Sequence, residues 1–307
     1  MHYADLHNHT TASDGDFTPR ELVALYAERG VRALGITDHD TLDGLPEGLA
    51  AGREAGVQVV PGVEVTLRFS EPLFTGSLHL LLYFPEALLE REDFLADCAQ
   101  TFSLGRGPAL VRARVEALNA HYGPAGLEPV MSRELTEAEL FAQTDQVSRK
   151  HFAVTLAGMG LDKATVMRLI GNDSPAYIPS GMRPEDLAPL LGRWPFVRVL
   201  AHPAAGSYPG EGHYKEVLPP YETVEALLPR FTALGLDGLE AHYPGHTPDL
   251  TERVIGTCRA LGLPLVTGGS DCHDMAQRPP ATEGVGAPVL AMLMGMLAVR
   301  ARAQARS

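Results

Sequence analysis

Two histidines one residue apart, followed closely by an aspartate, stand near the start of the 307-residue chain. His7 and His9 lie in the segment 5–13, and Asp14 follows this segment directly. Alternate side chains of a β-strand point to the same side, so the two imidazoles are expected to converge. Ionisable groups that crowd at one strand end indicate a functional site. A metal site fits these groups, because imidazole and carboxylate are both metal ligands. The opening segment therefore predicts a metal site.

Four later segments end in the same residue types, each after an apolar run. They supply His39, Glu64, His202, Asp271 and His273. His79 lies inside an apolar run, where a histidine is by itself more typical of a core side chain than of a ligand. Asp38 and Asp40 flank His39 and are expected to orient this ligand or its loop. Cys272 lies between two candidate ligands, but strand alternation should turn it away, so it is interpreted as structural.

The candidate set mixes imidazole with carboxylate, which suits Zn, Mn or Fe, whereas Mg alone prefers mostly oxygen. Three ions are the expected capacity if one carboxylate bridges two of them. Glu64 is the candidate for that bridge because it ends a strand beside Gly62. Closely spaced ions activate water near neutral pH and neutralise charge on a phosphate ester. The candidate ligands are His7, His9, Asp14, His39, Glu64, His79, His202, Asp271 and His273.

The elements that must position these ligands alternate between strand and helix patterns. A first helix is predicted from the capping-box signature that runs from Thr18 to Glu21. Buried strands are predicted at 32–37 and 57–65, and the same rhythm of strand and helix returns over 197–267. Such alternation indicates parallel pairing, with the candidate ligands at or just beyond the strand C-termini. Parallel α/β folds, and barrels especially, assemble their active sites there.

Strand signals fade in the middle of the chain, where helical patterns dominate. We therefore predict an inserted helical subdomain at 86–191, within an α/β fold formed by 1–85 and 192–307. The closing segment 289–306 is apolar at first and then arginine-rich. This pattern predicts a packing helix with cations at its C-terminal end.

Composition limits the classes of partner and compartment. The net charge of −13 and the pI near 5.3 argue against nonspecific binding of a polyanion, but not against a small phosphorylated substrate or a nucleic-acid end held locally. Cys98, Cys258 and Cys272 lie far apart without CxxC spacing, which indicates neither a disulfide framework nor a thiolate zinc site. No apolar run approaches the ~20 residues of a membrane span, and no leader pattern precedes His7. A cytoplasmic location is therefore expected.

Five motifs, in this order, resemble the PHP (polymerase and histidinol phosphatase) superfamily. They are Asp5-Leu6-His7-Asn8-His9, Ser13-Asp14-Gly15, Thr37-Asp38-His39-Asp40-Thr41, Pro61-Gly62-Val63-Glu64 and Gly268-Gly269-Ser270-Asp271-Cys272-His273. The resemblance covers nearly the whole chain and implies a distorted (β/α)7 barrel, with the helical insertion capping a trinuclear site. It assigns the first ion to His7, His9, Glu64 and Asp271. It assigns the second ion to Glu64, His79 and His202, and the third to Asp14, His39 and His273.

Within the superfamily, the chain is most similar to nucleoside-3′,5′-bisphosphate phosphatases and a related 5′-to-3′ exoribonuclease. Asp14 stands where other branches use histidine, and the segment 148–153 resembles the Gly-Arg-Pro-His-x-Ala segment of this branch. In this chain, Ser148 and Lys150 replace the glycine and the proline of that segment. This departure affects the prediction of the substrate more than the prediction of the reaction. The segments 174–179 and 243–248 also fit this branch.

The same resemblance implies three substrate contacts. Arg149 is expected to grip a phosphate, because its planar donors match phosphate oxygens. His151 is expected to position that phosphate or to protonate the leaving oxygen. His246 is expected to contact the substrate.

The sequence thus predicts metal-dependent hydrolysis of a phosphate ester by a site with three divalent ions. The expected ions are Mn, Zn or Fe, and Mg is a further option. The expected partner is a nucleotide or a short 5′-phosphorylated oligonucleotide, without a broad nucleic-acid surface and without a membrane. Two alternatives stay open: a phosphatase for another small metabolite such as histidinol phosphate, and a non-catalytic metal-binding module. The cationic side chains of the insertion have two interpretations. They line a local groove for a nucleic-acid end, or the majority of them lie on solvated helix faces.

Overall fold

Seven strands form one sheet in which neighbours in space are also neighbours in sequence. The structure is a computed structural model and describes residues 3–144, 147, 149–210 and 218–304. The strands are β1 (Ala4–Asp5), β2 (Ala33–Ile36), β3 (Gln58–Glu71), β4 (Phe74–Tyr83), β5 (Val197–Leu200), β6 (Gly238–His242) and β7 (Leu265–Gly268).

The two ends of this sheet also meet. Beyond β1, the amide of Leu6 donates to the Gly268 carbonyl at 3.2 Å, and the amide of His9 donates to the Cys272 carbonyl at 2.9 Å. The segment after β1 is thereby paired with β7 and the segment after it. The predicted barrel is confirmed.

A long hairpin distorts the barrel. β4 runs antiparallel to both β3 and β5, whereas all other neighbours pair in parallel. The prediction of parallel pairing is therefore wrong for β4. Both hairpin strands are mostly buried, so their apolar runs lack the alternation that marks a half-exposed antiparallel strand. The hairpin register places His79 beside Thr66, two residues beyond Glu64.

Helices follow most of the strands. They are α1 (Pro19–Glu28), α2 (Leu45–Ala55), α3 (Glu92–Ser103), α4 (Gly107–Tyr122), α5 (Glu137–Phe141), α6 (Arg149–Gly158), α7 (Lys163–Ile170), α8 (Pro184–Arg193), α9 (Tyr221–Ala233), α10 (Pro248–Ala260) and α11 (Ala287–Gln304). The predicted capping box begins α1. The Thr18 hydroxyl accepts from the Glu21 amide at 3.2 Å, and the Glu21 carboxylate accepts from the Thr18 amide at 2.9 Å.

Three hydrophobic clusters hold these elements together. The largest packs one face of the sheet against helices that include α1 and α9. The second joins the opposite face of the strands to Leu290, Leu293 and Leu297, so α11 is the packing helix that was predicted. The third lies within the insertion, between Val111 and Ala176.

The insertion is only partly independent of the barrel. α3 and α8 contribute Phe94, Phe102 and Leu187 to the largest cluster, so their apolar sides belong to the barrel core. A separate core exists only between residues 111 and 176. The division at 86–191 stays a prediction. No helix in the described ranges combines the length and the apolar character that a membrane span requires.

Gly35 in β2 marks a close approach to the segment that carries the first ligands. A Cβ at this position would lie 2.2 Å from the Leu6 carbonyl oxygen. Gly35→Ala is therefore expected to lower the free energy of unfolding by about 2 kcal/mol, as overpacking does. Gly256→Ala in α10, where a Cβ meets nothing within 4 Å, is the matched control and should raise that free energy by up to ~1 kcal/mol. Urea denaturation measures both, and equal stabilities of the two variants would contradict this account of the barrel wall.

Candidate metal centre

Four fully buried side chains form the middle of the site. His7 and His9 follow β1, Glu64 lies in β3, and Asp271 follows β7. The Nε2 atom of His9 lies 3.1 Å from Glu64 Oε2 and 3.2 Å from Asp271 Oδ1. The Nε2 atom of His7 lies 3.3 Å from Glu64 Oε1 and 3.5 Å from Asp271 Oδ1. Two imidazoles and two carboxylates therefore converge, with one ligand atom from each within 4.8 Å of the others.

Glu64 also faces three further histidines. Its Oε1 atom lies 3.1 Å from His79 Nδ1 and 3.1 Å from His202 Nε2. Its Oε2 atom lies 3.2 Å from His39 Nδ1. The hairpin brings His79 to this position, and the loop after β5 brings His202. The two oxygens of one carboxylate thus reach two different parts of the site, as a bridging ligand requires.

A third group lies at the edge of the site. Asp14 Oδ1 is 3.1 Å from His273 Nε2 and 3.6 Å from His9 Nδ1, and Asp14 Oδ2 is 4.0 Å from His39 Nε2. The Asp14 side chain is 54% exposed, whereas the Glu64 side chain is fully buried. The site therefore opens to solvent on the side of Asp14.

The donor atoms of this cluster fit divalent cations. The buried atoms that lack a well-formed hydrogen bond within the described ranges include Glu64 Oε2, Asp271 Oδ1, His39 Nδ1 and His273 Nε2. All four belong to the predicted ligand set. Buried polar atoms are normally satisfied, so a cluster of orphaned ones that face each other indicates a missing partner. Imidazole with carboxylate is the donor set of Mn, Zn and Fe.

Glu240 supports two ligands, and the sequence did not single it out. This fully buried carboxylate in β6 accepts from His7 Nδ1 at 3.1 Å and from the His202 amide at 2.8 Å. A ligating histidine needs its other ring nitrogen held in this way. The available signal was an acidic residue inside the apolar strand β6. This strand lies between β5, which precedes His202, and β7, which precedes Asp271.

Asp38 and Asp40 brace the loops, as predicted. Asp38 accepts from the Thr10 amide at 2.7 Å and from the Ser13 hydroxyl at 2.7 Å, which fixes the turn leading to Asp14. Asp40 accepts from the Thr66 amide at 3.1 Å, and its φ of 50° is left-handed. The two aspartates therefore hold their neighbours in place.

The cluster holds protons when no cation is bound. Burial alone would lower the pKa of His9, but the Glu64 and Asp271 carboxylates that face its ring raise that pKa to about 9. The pKa of His7 is likewise raised, by Glu64 and Glu240, against the effect of burial. Burial would raise the pKa of Glu64, but His7 and His79 hold it well below its usual range. At neutral pH, a divalent cation that binds here therefore displaces imidazole protons.

The structure places Arg149 and His151 on α6, in the insertion. The Arg149 Nη2 atom donates to Asn172 Oδ1 at 2.7 Å, and its guanidinium lies 5.8 Å from the centre of the Tyr177 ring. His151 is half-buried, and its carbonyl accepts from the Thr155 hydroxyl at 3.0 Å. Ser148, which precedes them in the motif, lies outside the described residues. The substrate roles of Arg149 and His151 stay predictions.

The substrate contact of His246 stays a prediction, and the structure gives both nitrogens of its ring backbone partners. Its Nε2 atom accepts from the Ala204 amide at 3.1 Å, and its Nδ1 atom donates to the Ala241 carbonyl at 2.9 Å. Burial lowers the pKa of this imidazole to about 4, so the ring is neutral. Both nitrogens are therefore used to brace the loop that carries His202 against the end of β6.

Glu240→Gln tests the support of His7. The amide keeps the volume of the carboxylate but loses its charge, so metal affinity is expected to fall by about 10–100-fold with an unchanged fold. Titration of metal-free protein with Mn²⁺ by calorimetry measures this affinity. Glu252→Gln, an exposed change on α10, is the control and should leave the affinity unaltered. Identical affinities for Glu240→Gln and wild type would show that the carboxylate only fills space.

The sequence is similar to that of several phosphoesterases. The family model described as PHP domain matches residues 5–127. A 5′-3′ exoribonuclease of Haemophilus influenzae is 26% identical over 88% of this chain and 89% of its own. A 3′,5′-nucleoside bisphosphate phosphatase of Chromobacterium violaceum is 28% identical over 88% and 86% of the two chains. A phosphoribosyl 1,2-cyclic phosphate 1,2-diphosphodiesterase of Eggerthella lenta is 29% identical over 90% and 96%.

The fold is similar to that of solved structures. A protein of Bifidobacterium adolescentis, described as a metal-dependent phosphoesterase, superposes with a TM-score of 0.60 at 26% identity and covers 95% of this chain and 96% of its own. A Chromobacterium violaceum protein, described as an amidohydrolase with bound sulfate and no metal, gives a TM-score of 0.61 at 25% identity, over 96% of both chains. Together with the match of residues 5–127 to the PHP-domain model and the cluster of histidines and carboxylates at the strand ends, these likenesses show a PHP-type domain in this chain and support a hydrolase of the phosphoesterase class.

Proposed function

We propose that this protein hydrolyses phosphate esters of nucleotides with three divalent ions. Its substrates are nucleoside 3′,5′-bisphosphates, which lose the 3′-phosphate, and short oligonucleotides with a 5′-phosphate, which are trimmed from that end. The observation that carries this proposal is the sharing of Glu64 between ligand groups that extend to an opening at Asp14. The names of the relatives from Haemophilus influenzae and Chromobacterium violaceum support this choice of substrates.

The proposed ligand groups are those that the resemblance to the PHP superfamily implies. One group is His7, His9, Glu64 and Asp271, the second is Glu64, His79 and His202, and the third is Asp14, His39 and His273. When bound, Mn, Zn or Fe ions supply an activated water and neutralise charge on the phosphate oxygens. Mg remains a further option because carboxylates are present.

The protein's own residues orient and protect this chemistry. Glu240 holds the ring of His7 so that the Nε2 atom of His7 faces Glu64. Glu240 and His7 are both fully buried, which excludes water from this side of the site. In this proposal, Arg149 binds a phosphate through its guanidinium, and His151 positions that phosphate or donates a proton to the leaving oxygen. No side chain of the protein forms a covalent bond to phosphorus.

A substrate panel tests the proposal. With Mn²⁺, kcat/KM for a nucleoside 3′,5′-bisphosphate and for a 5′-phosphorylated RNA is expected to exceed that for histidinol phosphate by about tenfold or more, since nucleotide contacts are absent in the latter. Asp271→Asn and chelator-treated protein are the controls and should lose activity toward every ester. A preference for histidinol phosphate would overturn the substrate class, and equally flat rates with and without Mn²⁺ would overturn catalysis itself.

His151→Ala tests the proposed proton donor. Loss of a general acid is expected to lower kcat by about 100-fold or more. Lys150→Ala, an exposed neighbour on α6, is the matched control and should keep wild-type turnover. Steady-state rates on the preferred ester measure both variants. Wild-type turnover of His151→Ala on all phosphate esters of the panel would remove this residue from the mechanism.

A further inference from the structure

Two arginines at the junction of the insertion and β3 have no carboxylate partner among the described residues. Two other insertion arginines are paired with carboxylates: Arg112 Nε lies 3.2 Å from Glu137 Oε1, and Arg168 Nη1 lies 2.9 Å from Glu128 Oε1. Arg114 is half-buried on α4, and its hydrogen bond in the described structure runs from Nε to the Ile178 carbonyl at 3.0 Å. Its guanidinium is therefore desolvated without a counter-charge.

Arg68 in β3 is the second of these arginines. It is half-buried, and its buried Nη1 atom finds no hydrogen-bond partner within the described ranges. Asp186 lies close enough for its charge to act on Arg68, but Arg183 holds both Asp186 oxygens, at 2.7 Å and 2.9 Å. Arg68 therefore keeps a buried donor free.

Two neighbouring hollows connect these side chains. Arg114 lines a small cavity of about 30 Å³ whose wall includes Phe152 and Tyr177. Arg68 lines an adjoining groove of about 380 Å³. Ile178 belongs to the walls of both, and Arg68 is close enough to Arg114 for their charges to repel. The surface thus offers two guanidinium groups and an aromatic wall within one continuous region.

The chemistry of this region matches a nucleic-acid strand. A desolvated guanidinium without a carboxylate favours an anion, and its planar donors suit phosphate oxygens. The half-buried ring of Tyr177 beside these cations provides an aromatic face on which a base of any sequence can stack. Glu71 and Glu185 also line the groove, but Arg230 lies within ion-pair distance of both, and neither pairs with Arg68 in the described structure.

The position along β3 relates this region to the metal centre. Arg68 lies four residues beyond Glu64 in the same strand, which places its backbone roughly 14 Å away at ~3.4 Å per residue. A phosphate bound beside Arg68 therefore belongs to a nucleotide beyond the one whose ester is cleaved.

We propose that Arg68 and Arg114 form a second phosphate subsite, which binds an internal phosphate of a short 5′-phosphorylated oligonucleotide whose end lies at the metal centre. The inference rests on the proposed function. It adds that the protein distinguishes an oligonucleotide from a mononucleotide by a contact outside the ligand cluster.

The test compares two substrates in four proteins. The substrates are a 5′-phosphorylated trinucleotide and a nucleoside 3′,5′-bisphosphate, and the proteins are wild type, Arg68→Ala, Arg114→Ala and Arg112→Ala. The ratio of kcat/KM for the trinucleotide to that for the bisphosphate is expected to fall about tenfold or more in Arg68→Ala and Arg114→Ala, mainly through KM. Arg112→Ala, whose arginine is paired with Glu137, is expected to keep the wild-type ratio. A wild-type ratio in both test variants would overturn the subsite.

A binding measurement keeps this inference separate from catalysis. Fluorescence anisotropy reports binding of a labelled 5′-phosphorylated oligonucleotide to metal-free protein in chelator, so it does not need turnover. Weaker binding in Arg114→Lys and Arg68→Lys, which keep the charge and the stem but lose the planar donors, would support the subsite even if no ester were hydrolysed. Binding equal to that of wild type in both lysine variants would overturn it.

Discussion

The fully buried carboxylate of Glu64 is the constraint on which the site depends. A buried anion is stable only when opposite charges or hydrogen-bond donors surround it. Five histidines surround this one: His7, His9, His39, His79 and His202. They come from loops after different strands and from the hairpin, so the barrel must close for them to meet. The same crowding raises the pKa of His7 and of His9, so these two imidazoles keep their protons until a cation replaces them.

Around Glu64, a layer of buried acids holds the ligands in place. Glu240 fixes His7 and the backbone of His202, and Asp38 fixes the turn that presents Asp14. Asp5 accepts from the amide of Ser270, next to Asp271, at 3.0 Å. Each of these acids accepts hydrogen bonds from a neighbouring residue. The ligand cluster is therefore supported on its buried side and open to solvent at Asp14. Arg68 and Arg114, by contrast, have no carboxylate partner in the described structure, and this difference separates a supporting layer from a binding surface.

Much of this arrangement was predictable from residue types. The spacing of His7 and His9 and the polar residues after apolar runs predicted the barrel ends where the ligands meet. His79 could not be assigned from its own surroundings, because an apolar run looks the same in a buried strand and in a core helix. Glu240 was missed because its role depends on strands far apart in sequence. For His246, only the tertiary structure shows that backbone groups occupy both ring nitrogens.

The direct measurement of the central claim is a crystal structure of the Mn-loaded protein with anomalous diffraction recorded at the manganese edge. The account predicts three anomalous peaks, one in each proposed ligand group, with the Glu64 carboxylate contacting two of them. A single peak, or peaks that Glu64 does not bridge, would contradict it.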